Sequence, residues 1–302
     1  MRVLTIIILL NTALLGKAQR NKAAAPNPYL AAFYSAPGEP LTTTLNIFPP
    51  QGREFVVPLP VHLYGIAYSP DGRAVYGGVT GPEHPAEPHL CKIDLENMHI
   101  MMLPGSTGLS PSAGLTVSHA QDRVLVSGQY RGKGRLECGL YQLATGTGTI
   151  EQILPAMTCD YVSTWHSLSF STDGRLAIAI RAGMLELINV ERRSTRSLRP
   201  GCYRAAWSPD GKWIAAVENG GRWRTFILDT AQFKVQKILG TTEAVWSPDS
   251  KYLLALKPHI LCPDHGTFEI VDVESGKRST INSSRCKVYQ MTTGWVSRTI
   301  LP

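Results

Sequence analysis

Arg204-Ala-Ala-Trp-Ser-Pro-Asp-Gly-Lys212 is the clearest copy of a motif that recurs along the chain. Close copies lie at Gly65–Arg73, Ser167–Arg175 and Glu243–Lys251, and a degenerate copy with one extra turn residue lies at Gly114–Arg123. The serines that mark the register occupy positions 69, 118, 171, 208 and 247, so successive copies are 49, 53, 37 and 39 residues apart. Such periods suit a repeating unit of four short strands and their turns.

Each copy predicts a β-hairpin. Its Pro presets φ at the second turn position, its Asp can bond to the local backbone, and its Gly accepts the positive φ that leads into the next strand. An aromatic residue precedes the Ser in four copies, and we expect these rings to fill the wedge between adjacent sheets. They are Tyr68, Phe170, Trp207 and Trp246. A four-stranded sheet with two apolar faces is not stable alone, so the units must pack in a ring.

The two ends of the chain supply the remaining strands. Before the first copy, Tyr29–Ser35, Thr43–Phe48 and Glu54–Leu59 are typical of three strands, and after the last copy Val288–Val296 is typical of one inner strand. The sequence therefore predicts an all-β chain that forms a single six-bladed β-propeller of four-stranded antiparallel blades, whose last blade is closed by strands from both termini. Five blades, if the degenerate copy is not independent, and seven blades are the alternatives.

The Trp-Ser-Pro-Asp-Gly-Lys segment followed by an apolar strand resembles the repeat of TolB-type β-propellers, which are WD-repeat-like. The same unit occurs in the propeller domains of prolyl-oligopeptidase-type peptidases. The resemblance covers nearly the whole mature chain and implies a propeller in the bacterial periplasm that contacts envelope lipoproteins and other proteins. The peptidases add a hydrolase domain with a Gly-x-Ser-x-Gly segment, and this sequence contains no such segment.

The N-terminal segment is typical of a secretory signal peptide. Arg2 precedes an almost wholly apolar run, Val3–Leu15, and small residues flank Lys17. The run is shorter than the about 20 apolar residues of a bilayer span, so we expect cleavage near Ala18 rather than an uncleaved anchor. The predicted organisation is a signal peptide over residues 1–18, a short flexible segment over 19–27 and a TolB-like propeller over 28–302. The mature chain is expected to be periplasmic or secreted, with no membrane span.

Binding residues are expected on one rim of the ring. Loops that join second to third strands, and one blade to the next, gather on the rim opposite the Asp-Gly turns, and we call it the looped rim. Such loops commonly carry binding residues on a rigid scaffold. Candidate ligand-binding residues there are Tyr130, Arg131, Glu218, Arg222, Trp223, His259 and His265. An ordinary exposed rim is the alternative.

Histidines in two of these loops could donate metal ligands. One loop carries His84 and His89, and the other carries His259 and His265, but neither has the spacing of a metal-binding motif. We therefore expect solvated histidines, no metal and no cofactor. No Ser, His or acidic residue is marked as catalytic by a local motif, so no nucleophile is predicted.

The six cysteines of an exported chain permit three disulfides. The predicted fold suggests partners, because it brings together the loops of one repeat, the starts of inner strands in consecutive repeats, and the starts of neighbouring third strands. The corresponding pairs are Cys262 with Cys286, Cys159 with Cys202, and Cys91 with Cys138. Buried free thiols are the alternative for some of these residues.

The predicted function is binding rather than catalysis. The formal net charge of +7 comes from cations scattered along the chain without a basic block, so nucleic-acid binding has little support. The sequence favours an exported, non-catalytic propeller that binds a protein, peptide or glycan partner in the cell envelope through its looped rim. The alternative is a propeller enzyme, a lyase or hydrolase, with its site at the mouth of the central channel.

Overall fold

The fold was analysed in a computed structural model of the chain. It describes residues 29–35, 43–48, 55–61, 63–79, 87–132, 134–160, 164–219, 223–241, 245–259, 262–280 and 292–296. These residues form β-strands and turns, and none of them belongs to an α-helix. Accordingly, within these ranges there is no helix with the length and apolarity needed to cross a membrane.

The described residues contain 24 strands that are mostly short, as the repeat predicts. In chain order they are β1 (Tyr29–Ser35), β2 (Thr43–Phe48), β3 (Phe55–Pro58), β4 (Leu63–Tyr68), β5 (Ala74–Val79), β6 (His89–Asp94), β7 (Ile100–Met102), β8 (Leu109–Val117), β9 (Arg123–Gly132), β10 (Arg135–Ala144), β11 (Ile150–Pro155), β12 (His166–Phe170), β13 (Leu176–Arg181), β14 (Met184–Asn189), β15 (Ser194–Pro200), β16 (Cys202–Trp207), β17 (Trp213–Asn219), β18 (Trp223–Asp229), β19 (Val235–Leu239), β20 (Val245–Trp246), β21 (Tyr252–His259), β22 (Cys262–Asp272), β23 (Arg278–Thr280) and β24 (Thr292–Val296).

The strands pair into four-stranded antiparallel sheets. Five sheets are blades of consecutive strands, β4–β7, β8–β11, β12–β15, β16–β19 and β20–β23, and a further sheet has the order β24-β1-β2-β3. In that shared sheet Tyr29 lies opposite Val296, so strands from both ends of the chain are hydrogen-bonded to each other. The all-β propeller of four-stranded antiparallel sheets is confirmed, together with its closure by both ends of the chain.

The first strand of each blade lies innermost and contacts the first strand of the next blade. These contacts run through β4, β8, β12, β16, β20 and β24, and β24 contacts β4 again. Between the sheets lie the apolar clusters: one joins Tyr76 and Leu90 of the β4–β7 blade to Val126 and Tyr141 of the β8–β11 blade. The core of the molecule is therefore a series of such layers around a ring.

The repeated turns close as the motif predicts. The Ser69 hydroxyl donates to Asp71 Oδ1 at 2.5 Å and accepts the backbone N–H of Ala74 at 2.8 Å. The same Ser–Asp hydrogen bond occurs in all four remaining copies of the motif. The pairs are Ser118–Asp122, Ser171–Asp173, Ser208–Asp210 and Ser247–Asp249. Where the motif has Gly the residue has positive φ, as at Gly72 with 67°, and where Gly is missing Gln121 and Ser250 take φ of 58° and 60°.

The aromatic residues before the turns are wedges between sheets. Phe170, Trp207 and Trp246 are buried in three successive inter-sheet clusters, and Tyr68 packs against the edge of another. The Trp246 indole N–H also donates to the carbonyl of Ala206 in the preceding blade, at 3.0 Å. The predicted role of this column is confirmed.

The Asp-Gly turns lie together on one rim, which we call the turn rim. Because antiparallel strands alternate in direction, the loops between second and third strands, and the connections between blades, lie on the opposite, looped rim. On the turn rim, hydrogen bonds join the five repeated turns one to the next. They run from Gln121 Nε2 to Asp71 Oδ2, from Arg123 Nη1 to the Gly174 carbonyl, from Thr172 Oγ1 to the Pro209 carbonyl and from the Asp210 N–H to Ser250 Oγ.

Candidate functional site

The β9–β10 hairpin reaches farther onto the looped rim than the neighbouring strand β11 of the same sheet. Both strands have ten residues, whereas β11 pairs with β10 only from Gly139 onward. The first four residues of β10, Arg135–Cys138, are therefore paired to β9 alone among strands. This extension carries two of the predicted binding residues, Tyr130 and Arg131.

The two faces of the extension differ in what they present. Tyr130 lies opposite Glu137, and its half-buried ring meets the Tyr141 ring edge-on at 5.6 Å, so this face packs toward the β4–β7 blade. Arg131 lies opposite Leu136 on the other face, and both side chains are exposed. Adjacent residues point to opposite faces of a strand, so the structure separates the two predicted candidates. Arg131 is the more exposed of the two.

One disulfide holds the base of this extension, and it corrects two predicted pairings. Cys138 is bonded to Cys159, with 5.2 Å between their Cα atoms. The predicted pairs Cys159–Cys202 and Cys91–Cys138 are therefore wrong, because Cys91 and Cys202 are buried free thiols. Burial raises the pKa of Cys91 to about 12 and that of Cys202 to about 11. The pair Cys262–Cys286 cannot be placed, since residue 286 lies outside the described residues.

Geometry explains the corrected pairing. Neighbouring sheets pack about 10 Å apart, whereas a disulfide needs Cα atoms about 4.4–6.8 Å apart, so third strands of adjacent blades are poor partners. Cys138 instead lies where the chain leaving β11 turns back along β10, and the Ala156 N–H donates to the Cys138 carbonyl at 2.9 Å. This contact brings Cys159 beside Cys138.

The connection from β11 to β12 presents an apolar side chain to solvent. Met157 is 99% exposed, and Leu136 on the adjacent extension is 49% exposed. The segment is held at both ends, by the disulfide and by hydrogen bonds from Thr164 Oγ1 to the Asp160 carbonyl and from the Trp165 N–H to Ser127 Oγ. Sequence reasoning did not single out either apolar residue, because exposure of one Met or Leu has no signal in the sequence.

Glu218, another predicted binding residue, is engaged between two blades. Its carboxylate pairs with Arg199 at 3.5 Å, and the Arg199 guanidinium lies 3.8 Å from the centre of the Phe226 ring. Arg199 belongs to β15 and Glu218 to β17, so the pair joins adjacent blades at the looped rim. Glu218 therefore has a structural partner, and only about a quarter of its side chain is exposed, 26%.

The remaining predicted binding residues fall on two other hairpins of the looped rim. Trp223 begins β18 and lies opposite Asn219, while Arg222 lies outside the described residues. His259 ends β21 and lies opposite Cys262, and His265 is within β22. The six candidates within the described residues are thus spread over three hairpins, β9–β10, β17–β18 and β21–β22. Among the described residues no group of three His, Cys, Asp or Glu side chains could hold a metal ion.

A buried charged cluster that the sequence did not reveal lies in the β12–β15 blade. Glu186 accepts the Trp165 indole N–H at 2.8 Å on one oxygen and is bound by Arg181 at 2.7 Å and 3.2 Å on the other. The Arg181 guanidinium is 4.8 Å from the centre of the Trp165 ring. Both carboxylate oxygens are occupied within the protein, so this cluster supports the blade rather than a reaction.

His166 is the first residue of the inner strand β12 and directly follows Trp165. Its imidazole is a titratable group in a buried environment. Burial, and then the positive charge of Arg204 on the next inner strand, lower the pKa of His166 to about 4. The imidazole is therefore neutral at physiological pH. A neutral histidine beside an arginine is compatible with packing of adjacent inner strands and does not by itself indicate a base.

Solved structures with the same architecture support the fold. TolB from Acinetobacter baumannii superposes with a TM-score of 0.64 and 17% identity, over 89% of this chain and 66% of that chain. A protein of Agrobacterium tumefaciens provisionally named TolB gives 0.56 and 15%, over 85% and 89%. A protein of Bacteroides fragilis provisionally named 6-phosphogluconolactonase gives 0.51 and 13%, over 91% and 99%.

Comparison by sequence adds no family assignment. No protein-family model matches the chain, and no curated protein matches it. At identities below one fifth the likeness shows the fold alone. The chain has the TolB-type β-propeller fold, as its repeated motif predicts.

Proposed function

We propose that the chain is an exported, non-catalytic propeller that binds a protein, peptide or glycan partner in the cell envelope through its looped rim. The single observation that carries this proposal is the β9–β10 extension, which projects past β11 and is fastened by a disulfide to a connection with an exposed Met157. Beyond β11, the exposed residues Arg131, Arg135 and Leu136 contribute little to the core. The fixed, exposed tip of this hairpin is what a binding surface needs.

The contrast between the rims supports the choice of surface. On the turn rim, polar side chains of one turn form hydrogen bonds with the neighbouring blade. Gln121, for example, is hydrogen-bonded to Asp71, Tyr76 and Lys92. On the looped rim, by contrast, Arg131, Leu136 and Met157 present their side chains to solvent. Exposed apolar side chains bordered by polar residues are typical of interaction sites.

Export is part of the proposal. The disulfide Cys138–Cys159 is a bond that persists in oxidising compartments such as the periplasm. The apolar N-terminal run supports a signal peptide over residues 1–18, followed by a short segment over 19–27 and the propeller over 28–302. Expression of the full chain in a bacterium, followed by cell fractionation and N-terminal sequencing, tests this step. A protein that stays in the cytoplasm with its N-terminus intact would contradict it.

Site-specific photo-crosslinking tests the binding step. A photoreactive amino acid is placed at position 131 or 136 on the looped rim, and at position 212 on the turn rim as a matched control. We expect the looped-rim positions to capture the same envelope component, and the control position to capture none. Equal capture from both rims, or none from either, would refute the proposed function.

A further inference from the structure

We propose that Arg131, Leu136 and Met157 form one docking surface, and that it binds a segment of a partner protein with an apolar side chain flanked by carboxylates. We call these three residues the Met157 surface. The inference rests on the proposed function and specifies it, since it names the part of the looped rim and the chemistry of the partner.

Register and the disulfide bring these residues to one part of the looped rim. Leu136 and Cys138 are two residues apart on β10, so they point to the same face, and Arg131 lies opposite Leu136 on that face. Cys138 is bonded to Cys159, two residues after Met157. Leu136 thus lies two residues before one half of the disulfide, and Met157 lies two residues before the other half.

The backbone is held in place on both sides of Met157, and this makes the exposure of its side chain informative. The chain is fastened one residue before it, by the Ala156 N–H to the Cys138 carbonyl, and two residues after it, by the disulfide. The next residue is also fixed, because the Thr158 hydroxyl donates to Asp160 Oδ2. A segment held this firmly loses little conformational freedom when a partner binds. Methionine is the side chain that best adapts to partner surfaces of irregular shape.

Charge selects the partner. Arg131 makes no ion pair among the described residues, and it opens the tip Arg131-Gly-Lys-Gly-Arg135, with three cations in five residues. Arg135 meets Glu137 only at 3.9 Å, and both side chains are well exposed, so that pair is weak. Arg131 shares the face of Leu136, whereas Arg135 lies on the other face of the hairpin. The surface is thus apolar with Arg131 at its border, which complements an apolar residue with adjacent carboxylates.

Selection from a random library of displayed 12-residue peptides is the test. The full mature chain is the bait, and enriched peptides are synthesised and titrated against four single variants. Met157→Ser and Arg131→Glu alter the proposed surface. Met101→Ser, a half-exposed methionine on the outer strand β7, and Lys212→Glu on the turn rim are their matched controls.

We expect enriched peptides to combine Asp or Glu with Leu, Ile, Phe or Met. Their Kd should rise about tenfold or more in the two surface variants and stay within about twofold in the controls. Removal of the disulfide by Cys138→Ser with Cys159→Ser should weaken binding similarly, with the propeller still folded by circular dichroism. Enrichment of basic peptides, or acidic peptides whose binding ignores both surface variants, would overturn the inference.

The outcomes separate this inference from the proposed function. If photo-crosslinking succeeds from the looped rim while peptide binding ignores Arg131 and Met157, the function stands and the Met157 surface is wrong. If no peptide is enriched, the inference fails as well. Flotation with phosphatidylglycerol-containing vesicles is run in parallel, and binding that depends on Arg131 and Met157 only there would assign the surface to lipid and overturn the peptide partner.

Discussion

The carboxylate of Glu186 shows how much a single buried side chain can hold in place. It accepts one hydrogen bond from Trp165 and two from Arg181, and only 7% of its side chain is exposed. Glu186→Ala would leave the indole N–H and the guanidinium without their acceptor. We expect a loss of about 3 kcal/mol in the free energy of unfolding, at the lower end for broken buried pairs because Arg181 is partly exposed.

Urea denaturation of the purified variant measures this loss. The matched control is Glu191→Ala, which removes the exposed pair between Glu191 and Arg175 in the same blade. The control should change the free energy of unfolding by no more than about 0.5 kcal/mol. Equal effects of the two variants would mean that burial adds nothing to the Glu186 cluster.

The Ser–Asp bonds of the turns predict how stability changes with pH. The hydrogen bond from Ser171 holds the pKa of Asp173 below its ordinary value, and the Ser118 hydroxyl does the same for Asp122. A carboxyl with a lowered folded-state pKa stabilises the fold above its unfolded pKa of about 4. This contribution is lost as pH falls through the folded pKa.

Ser171→Ala should therefore lower stability at about pH 6 and flatten the fall in stability between about pH 4 and pH 2. Urea unfolding at several pH values measures both effects. Ser194→Ala, an exposed serine that begins β15, should leave the pH profile of the wild type unchanged. If Ser171→Ala has the wild-type acid profile, the hydrogen bond does not set the Asp173 pKa.

These two residue-level features differ in how far they could be foreseen. The Ser–Asp turn is local, since its partners are two residues apart at Ser171 and Asp173, and so the motif predicts it directly. The Glu186–Trp165 bond spans 21 residues and two strands. Only the register of the sheet brings those side chains together, and no local pattern encodes that register.

Among strands and connections, the Cys138–Cys159 disulfide is the feature with the clearest consequence. It closes a loop of 21 residues, and loops of that length predict a stabilisation of about 3 kcal/mol from restriction of the unfolded chain. The Cys138→Ser, Cys159→Ser double variant should lose about that amount in urea denaturation. Cys202→Ala, which removes a buried free thiol, is the control for loss of a cysteine outside a bridge.

Peptide mapping checks the pairing itself. Under native conditions Cys91 and Cys202 should resist alkylation, because burial removes access and raises their pKa values to about 12 and about 11. In denaturant both should be alkylated without prior reduction, while Cys138 and Cys159 are recovered as one linked peptide. A linked peptide with Cys91 or Cys202 would contradict the structure.

The wrong cysteine pairs show where strand-level prediction ends. The sequence placed Cys138 at the start of a third strand, which is correct in topology, since β10 is the third strand of its blade. It did not show that β10 begins four residues before its pairing with β11. That overhang decides which cysteine Cys138 meets, and it depends on strand lengths that the repeat leaves variable.

For the molecule as a whole, the repeat was sufficient to predict the architecture, because each copy contributes the same sheet and only a ring can cover both faces of every sheet. The position of the rims followed from strand alternation alone. The proposed binding surface did not follow, since Met157 and Leu136 lie outside the repeated motif. Repeats specify what all blades share, and a site depends on how one blade differs.

Closure of the ring gives the last prediction. Tyr29 of β1 lies opposite Val296 of β24, and β24 contacts both β4 and β20, so this one strand completes the shared sheet and the circle of inner strands. A chain that ends at Met291 lacks β24. It should lose stability comparable with that of a whole domain, about 5–15 kcal/mol, and aggregate through the uncovered edge of β1.

A circular permutant separates closure from chain length. Because Tyr29 and Val296 are paired in register, a short Gly-Ser linker can join them as a hairpin, and new ends can be placed between Arg192 and Arg193 in the exposed β14–β15 turn. All the described sheets are then kept, so we expect the permutant to unfold in one transition, within about 2 kcal/mol of the wild type. Thermal unfolding followed by circular dichroism compares the three chains. If the chain ending at Met291 has the melting temperature of the wild type, closure of the ring by β24 does not stabilise the propeller. Its stability would then come from the contacts between adjacent blades alone.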